Sequence, residues 1–342
     1  MLQDVQSSPK PFGGIMVVFG GDFQQTLPVV ARGLWEEIVN ATLQRSPLWK
    51  DIQVRHLWTN MRVCESADSR AFSNWLLNIG HGLSLDGSHR SPTVSIPSHM
   101  IRSSKNDLIN VVYGFIEQYT TMPSPEFFQH RAILAPINND IRKLNTLILS
   151  QFPGHSTTFC SADSYSFDGS SDNGNDNIPL EFLHGLNPTG LPLARLSLKI
   201  GCPVILLCNI NKKRGLCNST RGTVIQMSNR LWEIRLISGD HAGETALIHR
   251  ISLTPSLTGL DFAIKLTRRQ FPVQLAFAMT INKAQGQTVK HVGLDLRKPV
   301  FSHGQLYVTL SCATSMEHIH VLLHNSSSIN TSNVVFPKVL LR

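Results

Sequence analysis

Residues 131–148 join the pattern of a buried strand to that of an amphipathic helix, and this pairing constrains the fold more than any other feature. Residues 131–136 form an apolar run typical of a parallel strand buried on both faces. The Asn-Asn-Asp sequence at 138–140 is predicted to cap a helix whose apolar residues recur every three or four positions up to Ile148. A strand, a loop and a capped helix in this order make an α/β unit.

Three other segments extend the α/β pattern. Residues 12–19 are predicted to form a second buried parallel strand that runs directly into the Gly-Gly-Asp sequence at 20–22. Residues 72–79 and 108–119 place their apolar side chains on one helical face. Because open α/β sheets bind ligands at the carboxyl ends of their strands, the loop after residue 19 is a candidate site.

The chain changes character after residue 152. Residues 153–192 are rich in polar and turn-forming residues, carry acidic side chains and no Lys or Arg, and are predicted to be an exposed insertion. Short β-type runs separated by turn residues follow, which predicts a small β-barrel or ribbon set into the α/β frame. These predicted strands are residues 203–207, 222–227, 231–237 and 244–253.

The composition excludes several classes of protein. The 342 residues are 42% hydrophobic and 16% charged, as in a globular chain long enough for two domains. No apolar run approaches the roughly 18 residues that span a bilayer, and residues 1–10 lack a signal-peptide pattern. We therefore expect no membrane partner and an intracellular location. The six cysteines form no C-x-x-C pair and the histidines lack zinc-site spacing, so we expect reduced thiols and no metal site.

The positive charge lies in the second half of the chain. The net charge is +8, but residues 1–198 hold 14 basic and 17 acidic side chains, whereas residues 199–342 hold 17 and 6. This asymmetry indicates a polyanionic partner, and nucleic acid before a membrane because no basic amphipathic helix is present. A basic surface that is merely solvated is the open alternative.

Three loops carry residues suited to phosphate. Residues 20–25 combine two glycines, an acid and two glutamines, whose amides could contact a terminal phosphate. Arg62 offers a planar fork of donors for phosphate oxygens. Residues 280–288 form a loop between a strand and a helix, with Lys283 and Gly286, whose backbone amides could surround a phosphate. Taken singly, the first is also ordinary turn chemistry and Arg62 an ordinary surface arginine.

Five sequence blocks in a fixed order carry a family resemblance. They are GGDFQQTLPVV (20–30), LWTNMR (57–62), RAILAPINNDIRKLN (131–145), RGLCNSTRGTV (214–224) and FPVQLAFAMTINKAQGQTVKHVGLDLRKPVFSHGQLYVTLSCATS (271–315). From about residue 11 to 325 the chain resembles the PIF family of superfamily-one DNA helicases, and within it the branch carried by Helitron transposons.

The resemblance implies an α/β fold with a RecA-like P-loop NTPase helicase core, in which the first domain is incomplete and the second contains an inserted SH3-like β-barrel. It implies a 5′-to-3′ ATP-dependent DNA helicase that uses ATP and Mg²⁺ and binds single-stranded DNA. The implied processes are DNA repair, recombination, telomere maintenance or Helitron transposition. The implied location is the nucleus rather than the mitochondrion. The implied domains are the end of the first RecA-like domain (1–58), the second RecA-like domain (59–210, with the acidic insertion 153–192), the barrel (211–262) and the rest of the second domain (263–342).

The resemblance also implies roles for individual residues. Gln25 matches the glutamine that senses the γ-phosphate, Asp22 is its acidic neighbour, and Arg62 matches the arginine that reaches the same phosphate. Gly286 matches the loop between nucleotide and single-stranded DNA, so the nucleotide-binding candidates are Asp22, Gln25, Arg62 and Gly286, and the catalytic ones Gln25 and Arg62. The DNA-binding candidates are Lys283, Gln285, Thr288, Lys212, Lys213 and Arg214, with Arg268 and Arg269 as further basic residues beside the barrel.

The sequence departs from the family pattern in two places. Phosphoryl transfer in such enzymes needs a P-loop Lys after Gly and an Asp-Glu pair for the metal and water, and this chain contains neither dipeptide. Cys312 occupies the position of an arginine that acts like an arginine finger, a group worth roughly 10³ to 10⁵ in rate. We therefore expect a chain that starts inside its first RecA-like domain and lacks ATPase activity alone.

Three interpretations stay open. The chain is a helicase fragment or degenerate transposon copy that keeps the fold; or an enzyme whose N-terminal RecA-like portion is missing from the sequence or lies on a separate chain; or a non-enzymatic module that binds single-stranded DNA or another partner.

Overall fold

A computed structural model describes most of the chain, and it divides into two compact units. The first unit comprises Met1–Ser95, Val300–Ser311 and Asn330–Arg342. The second unit comprises Ile96–Pro299 and Cys312–Ile329. The residues that the structure describes are 2–30, 32–57, 67–84, 87–119, 121–167, 178–188, 190–255, 264–324 and 329–340.

Helices and strands alternate along the chain, numbered here from the N-terminus over the described residues. The helices α1 to α9 are Leu2–Val5, Trp35–Asn40, Ala67–His81, Lys105–Tyr113, Pro125–Gln129, Asn138–Gln151, Leu180–Gly185, Ile281–Ala284 and Gln305–Ser311. The strands β1 to β17 are Thr93–Ser95, Ile101–Arg102, Arg131–Ala135, Thr157–Cys160, Ala162–Phe167, Arg195–Leu198, Pro203–Leu206, Arg221–Met227, Leu231–Leu236, Thr245–His249, Ile251–Leu253, Ile264–Gln270, Val273–Leu275, Ala278–Thr280, His291–Leu296, Ile319–Leu323 and Asn330–Ser332. No helix in these ranges has the length and hydropathy that a bilayer span requires.

A five-stranded parallel sheet forms the centre of the second unit. Its strand order is β14-β3-β15-β16-β2, and neighbouring strands run parallel throughout. The predicted strand at 131–136 is confirmed as β3, and the helix predicted after it as α6. The cap prediction is wrong, because α6 already includes Asn138 and its N-cap is Ile137, which has no side-chain oxygen. The parallel sheet confirms the α/β class, and its crossover helices fit a RecA-like core.

An antiparallel sheet in the same unit accounts for the predicted β insertion. Its order is β10-β9-β8-β7-β13, so the strands predicted at 203–207, 222–227 and 231–237 are confirmed. The strand predicted at 244–253 is divided into β10 and β11, and β11 pairs in a different sheet, of order β11-β12-β5. Buried Trp232 stacks on Phe271 with ring centroids 3.8 Å apart, which fixes one layer of its core. Strands β7 and β13 lie outside the predicted barrel range 211–262, and the predicted domain boundaries stay predictions.

The segment 153–192 contains regular structure in the part that the structure describes, although most of its described residues are exposed or half-buried, and the predicted insertion stays a prediction. This segment contains β4, β5 and α7, and it buries Phe159 and Leu183. The Asp163 carboxylate lies 2.7 Å from the Arg268 guanidinium, with both side chains fully buried. The segment is therefore tied into the core by an arginine distant in sequence. Residues 168–177, which carry most of its acidic side chains, lie outside the described residues.

In the first unit one helix prediction is confirmed and one strand prediction is wrong. Helix α3 buries the predicted apolar face that includes Phe72 and Ile79. Residues 12–19 form no strand: Pro11–Gly14 is a 3₁₀ turn, and Met16 and Val18 are 91% and 87% exposed. Among the described residues no strand pairs with this segment, and an apolar run becomes a buried strand only where neighbouring strands cover it.

The helix predicted at 108–119 is shorter than its apolar pattern suggests. Helix α4 buries Leu108 and Val112 as expected but ends at Tyr113. The next residue, Gly114, has a φ of +72° and a ψ of −175°, an extended conformation at positive φ that glycine tolerates and that ends the helix. Phe115 is consequently 61% exposed rather than part of the buried face.

Candidate functional site

The turn of residues 22–25 in the first unit is closed by hydrogen bonds of its own. The Gln25 backbone N–H donates to the Asp22 carbonyl over 3.2 Å, and the Gln24 N–H donates to the Asp22 carboxylate over 2.8 Å. The Gln25 side-chain amide donates to the other carboxylate oxygen over 3.4 Å. The two sequence-predicted residues, Asp22 and Gln25, are thus held together, with the Gln25 amide half-buried at the rim of the turn.

His303 ties this turn to the rest of the first unit. Its Nε2 lies 2.8 Å from the Phe23 carbonyl oxygen, and its Nδ1 accepts the Phe336 backbone N–H over 2.8 Å. Because Nδ1 is an acceptor, the proton of the neutral ring lies on Nε2, which donates to Phe23. The side chain is fully buried, and burial lowers the pKa of His303, opposed by its bond to Phe23 and by the Asp22 charge.

Gly304 lets the backbone before α9 approach the turn closely. Its φ is +71°, and a Cβ there would lie 2.3 Å from the Gln24 carbonyl oxygen and 2.6 Å from the Gln25 carbonyl carbon. Those are backbone atoms, which cannot rotate away as a side chain could. Glycine is therefore required at 304 for the turn to keep its position.

The third predicted loop, residues 280–288, lies in the second unit, and its part 283–288 keeps a positive charge without an ion-pair partner among the described residues. Lys283 is largely buried at the end of α8, and desolvation alone lowers its pKa to about 8. Gln285, Gly286 and Thr288 are exposed, and Gly286 has a φ of +79° with open space around it. The loop therefore exposes Gln285, Gly286 and Thr288 to solvent, whereas the Lys283 amine is largely desolvated.

A hairpin carrying the predicted basic residues is joined to this loop. Lys212, Lys213 and Arg214 form an exposed 3₁₀ turn between β7 and β8. The Thr220 hydroxyl donates to the Gly215 carbonyl over 2.8 Å, and the Gln287 amide donates to the Ser219 carbonyl over 3.4 Å. The structure thus brings the hairpin and the loop into one basic region of the second unit.

Cys312 lies beside the same loop. Its thiol is buried and lies 3.5 Å from the Ala284 carbonyl oxygen, and its own carbonyl accepts the Val289 N–H over 3.0 Å. Cys312, which the resemblance matches to an arginine, therefore lies next to the loop that contains Gly286 and presents a small neutral side chain there, and the match itself stays a prediction.

Two predicted residues do not contribute as expected. Arg62 lies outside the described residues, so its role stays a prediction. The prediction that Arg268 contacts DNA is wrong, because its guanidinium is buried and donates to the Asp163 carboxylate. Its other donors bind the backbone carbonyls of Leu183, Leu186 and Pro192. A guanidinium with all its donors used inside the fold cannot reach a phosphate.

Sequence reasoning did not assign His303 or Gly304, which support the turn. The HisGly pair lies within the block that carried the family resemblance, so its place in that block was the available signal. Its contacts join residues 280 positions apart, which no local spacing reveals.

Comparison with known proteins shows which helicases this chain is similar to. A PIF1-like helicase family model matches residues 1–89, and a model of the 2B domain of the DNA helicase Pif1 matches residues 181–227. The human ATP-dependent DNA helicase PIF1 is 27% identical over 334 residues, which are 93% of this chain and 42% of the human protein. The chain thus spans about two fifths of the length of this relative.

Solved structures with a similar fold point the same way. A Bacteroides Pif1 helicase in complex with ADP-AlF3 and ssDNA matches with a TM-score of 0.61 and 20% identity, over all of this chain and 67% of that one. Pif1 from Candida albicans matches with a TM-score of 0.59 and 23% identity, over 98% of this chain and 70% of that one. These likenesses establish the fold, and the family models and the human relative show that the chain is similar to PIF1-like helicases.

Proposed function

We propose that the chain supplies the phosphate-sensing turn and part of the single-stranded DNA track of a 5′-to-3′ ATP-dependent DNA helicase. The observation that carries this proposal is the desolvated amine of Lys283, which has no ion-pair partner among the described residues and sits on a loop whose other polar residues are exposed. A buried charge costs stability unless a ligand compensates it, and a phosphate group is the compensating ligand.

The described residues fit only part of an ATP site. The Gln25 amide, on a turn held by Asp22 and His303, suits contact with a terminal phosphate. The triphosphate cradle and the Mg²⁺ ligands need a P-loop Lys and an Asp-Glu pair, which this sequence does not contain. We therefore propose that the 342-residue chain alone does not hydrolyse ATP, and that Cys312 removes a further contribution to rate.

The remaining expectations from the resemblance belong to the same proposal. The partners are single-stranded DNA and a polypeptide portion that provides the P-loop, and the location is nuclear. A second candidate function is a module that binds single-stranded DNA without any ATPase activity. It is favoured by the missing dipeptides, and it shares the basic region formed by residues 212–214 and 283–288.

Lys283→Met tests the DNA interface. We expect its affinity for a labelled single-stranded oligonucleotide, measured by fluorescence anisotropy, to fall about tenfold, and the slope of log affinity against log salt to shrink by about 0.7. Lys50→Met is the matched control, because Lys50 is exposed in the first unit and has no place in the proposed interface. Equal effects of the two substitutions, or binding that does not weaken with salt, would refute the interface.

ATP hydrolysis in the presence of single-stranded DNA separates the two candidate functions from a complete enzyme. We expect no turnover from the 342-residue chain. Turnover that disappears in Gln25→Ala would show that the chain hydrolyses ATP and that the proposed inactivity is wrong. Turnover that appears only when a P-loop-bearing polypeptide is added would favour the helicase over the stand-alone binding module.

A further inference from the structure

Five basic side chains gather at the amino ends of three neighbouring strands in the central parallel sheet. Arg131 and His291 are the first residues of β3 and β15, and His130, Lys290 and His318 directly precede β3, β15 and β16. The strands are adjacent in the order β3-β15-β16, and the pairing of residue 292 with residue 319 sets His291 level with His318. We call these five residues the basic edge. It lies at the end of the sheet opposite to the carboxyl ends, where α/β sheets usually bind ligands.

The basic edge is held in place by the backbone. The His130 carbonyl accepts the backbone N–H groups of both Lys290 and His291 over 2.9 Å. The ring centroids of His291 and His318 lie 4.7 Å apart, so the two imidazoles are in contact. Lys290 is exposed and the other four side chains are half-buried, which leaves the cluster accessible to a large ligand.

The cluster carries no compensating acid among the groups that act on its histidines. Burial lowers the pKa of His291, and Arg131, His318, Lys290 and His130 lower it further. Burial, Lys290 and Arg131 likewise lower the pKa of His130. The Nδ1 atom of His318 is buried and has no hydrogen-bond partner among the described residues. Burial, and after it repulsion by the neighbouring cations, therefore favours the neutral forms of His130 and His291 until an anion arrives.

The neighbouring strand residues do not change this picture. His320, two residues along β16, lies with its Nδ1 3.1 Å from an Arg102 guanidinium nitrogen. Burial lowers the pKa of His320 to about 4, with further lowering by Arg102, His291 and His318, and Asp107 is the one carboxylate that opposes it. His320 therefore stays neutral near pH 7, and Asp107 does not compensate the basic edge itself.

We propose that the basic edge is a second nucleic-acid contact, which binds the phosphate backbone and becomes stronger as the pH falls. Three adjacent strands span about 10 Å, over which one strand of B-form DNA presents about three phosphates. The cluster is built from strand ends and not from an amphipathic helix, which favours nucleic acid over a lipid surface. The inference rests on the proposed function, since it takes nucleic acid as the polyanion.

The pH dependence follows from the lowered pKa values. An anion at the basic edge stabilises the protonated imidazoles, so binding takes up protons wherever the free histidines are neutral. At lower pH a larger fraction of these imidazoles is already protonated before the anion binds, so the affinity for the anion rises. DNA phosphates do not titrate in this range, so the dependence must come from the protein.

The test uses the full 342-residue chain and a labelled single-stranded oligonucleotide at constant ionic strength. We expect the dissociation constant of the unmodified chain to fall about tenfold between about pH 8 and about pH 6. In His130→Gln/His291→Gln, which removes the two histidines whose pKa values are lowered, the change should be less than about twofold. His249→Gln, which removes an exposed histidine on β10, should keep the full change. A pH dependence that survives in the double variant overturns the proposal.

Lys290→Gln gives an independent readout at an exposed position, where folding is not at risk. It should weaken binding at about pH 8 and move the steepest change to higher pH, because one cation no longer depresses the pKa of His291. An unchanged profile overturns the proposal, as does binding at about pH 6 to vesicles of anionic lipid in place of DNA. Loss of the Lys283 effect at about pH 8 would instead refute the proposed function, so the two failures are distinguishable.

Discussion

The turn at residues 22–25 and the loop at residues 283–288 were both predicted to face phosphate, yet they are built in opposite ways. The turn is closed by the Asp22 carboxylate, held through the Phe23 carbonyl by buried His303, and pressed against Gly304. The loop has exposed polar residues and a lysine whose charge nothing among the described residues compensates. The turn is therefore fixed by several contacts inside the fold, whereas the lysine of the loop has no partner of opposite charge among the described residues.

This difference indicates a different role for the turn at 22–25 and for the loop at 283–288. A turn fixed by several contacts costs little further entropy when a phosphate reaches it, so it suits sensing at one position. A desolvated charge on an accessible loop gains most when a polyanion arrives, so it suits binding a strand that slides. The contrast predicts that substitutions in the turn change stability, whereas those in the loop change affinity.

Gly304→Ala is expected to have the largest effect on the turn. The new Cβ would lie 2.3 Å from the Gln24 carbonyl oxygen, and the φ of +71° is itself unfavourable for alanine. We expect a loss of about 3 kcal/mol in the free energy of unfolding. Urea denaturation followed by tryptophan fluorescence measures it, since four of the five tryptophans, at 35, 49, 58 and 75, belong to the first unit. A smaller loss in the free energy of unfolding than that of Gly286→Ala would refute the claim that the turn is packed more tightly than the loop.

His303→Ala is expected to cost about 2 kcal/mol, because it leaves the Phe23 carbonyl and the Phe336 N–H without their partner. The cost should depend on pH. The pKa of His303 is lowered in the folded state, so its contribution is fully present above the unfolded pKa near 6.5 and is lost as the pH falls below it. The stability gap between the parent chain and His303→Ala should therefore narrow at about pH 5.5 in the same fluorescence assay, and a constant gap would mean that His303 is not buried neutral.

Local patterns predicted the elements whose partners lie nearby in sequence. Strand β3 and helix α6 were found because their apolar periods are complete within residues 131–151. The loop at 283–288 was found because a strand, a lysine and a glycine follow one another. The helix predicted at 108–119 is too long because Gly114, at a φ of +72°, ends helix α4 after Tyr113.

The parts that could not be predicted depend on contacts between distant segments. Arg268 was assigned to DNA by its charge, but its partner Asp163 is 105 residues away. Residues 12–19 have the composition of a buried strand, but burial depends on neighbouring strands that a local pattern cannot supply. His303 reaches the Phe23 carbonyl across 280 residues, so the support of the turn has no spacing signature at all.

Gly286→Ala provides the matched test in the loop. Its φ is +79°, close to that of Gly304, but a Cβ there would meet nothing within 4 Å. We expect only the conformational cost of alanine in the left-handed region, about 1 kcal/mol. Hydrogen exchange of the amides in residues 281–289 should show faster local opening, while the tryptophan-detected unfolding of the first unit stays unchanged. A cost as large as that of Gly304→Ala would show that the loop is as tightly enclosed as the turn.

Lys213→Ala is expected to have the smallest effect on stability. It tests whether the hairpin, like the loop, contributes to DNA affinity rather than to the free energy of unfolding. Lys213 is exposed on its 3₁₀ turn, so its removal should change the free energy of unfolding by less than about 0.5 kcal/mol. If it contacts a phosphate, affinity for single-stranded DNA should fall a few-fold and the salt slope by about 0.7, as for Lys283. The double variant with Lys283→Met should then lose the sum of the two slopes, because each lysine releases its own counterions. A slope no smaller than that of Lys283→Met alone would assign the hairpin to the solvated surface and leave the loop as the DNA contact of this region.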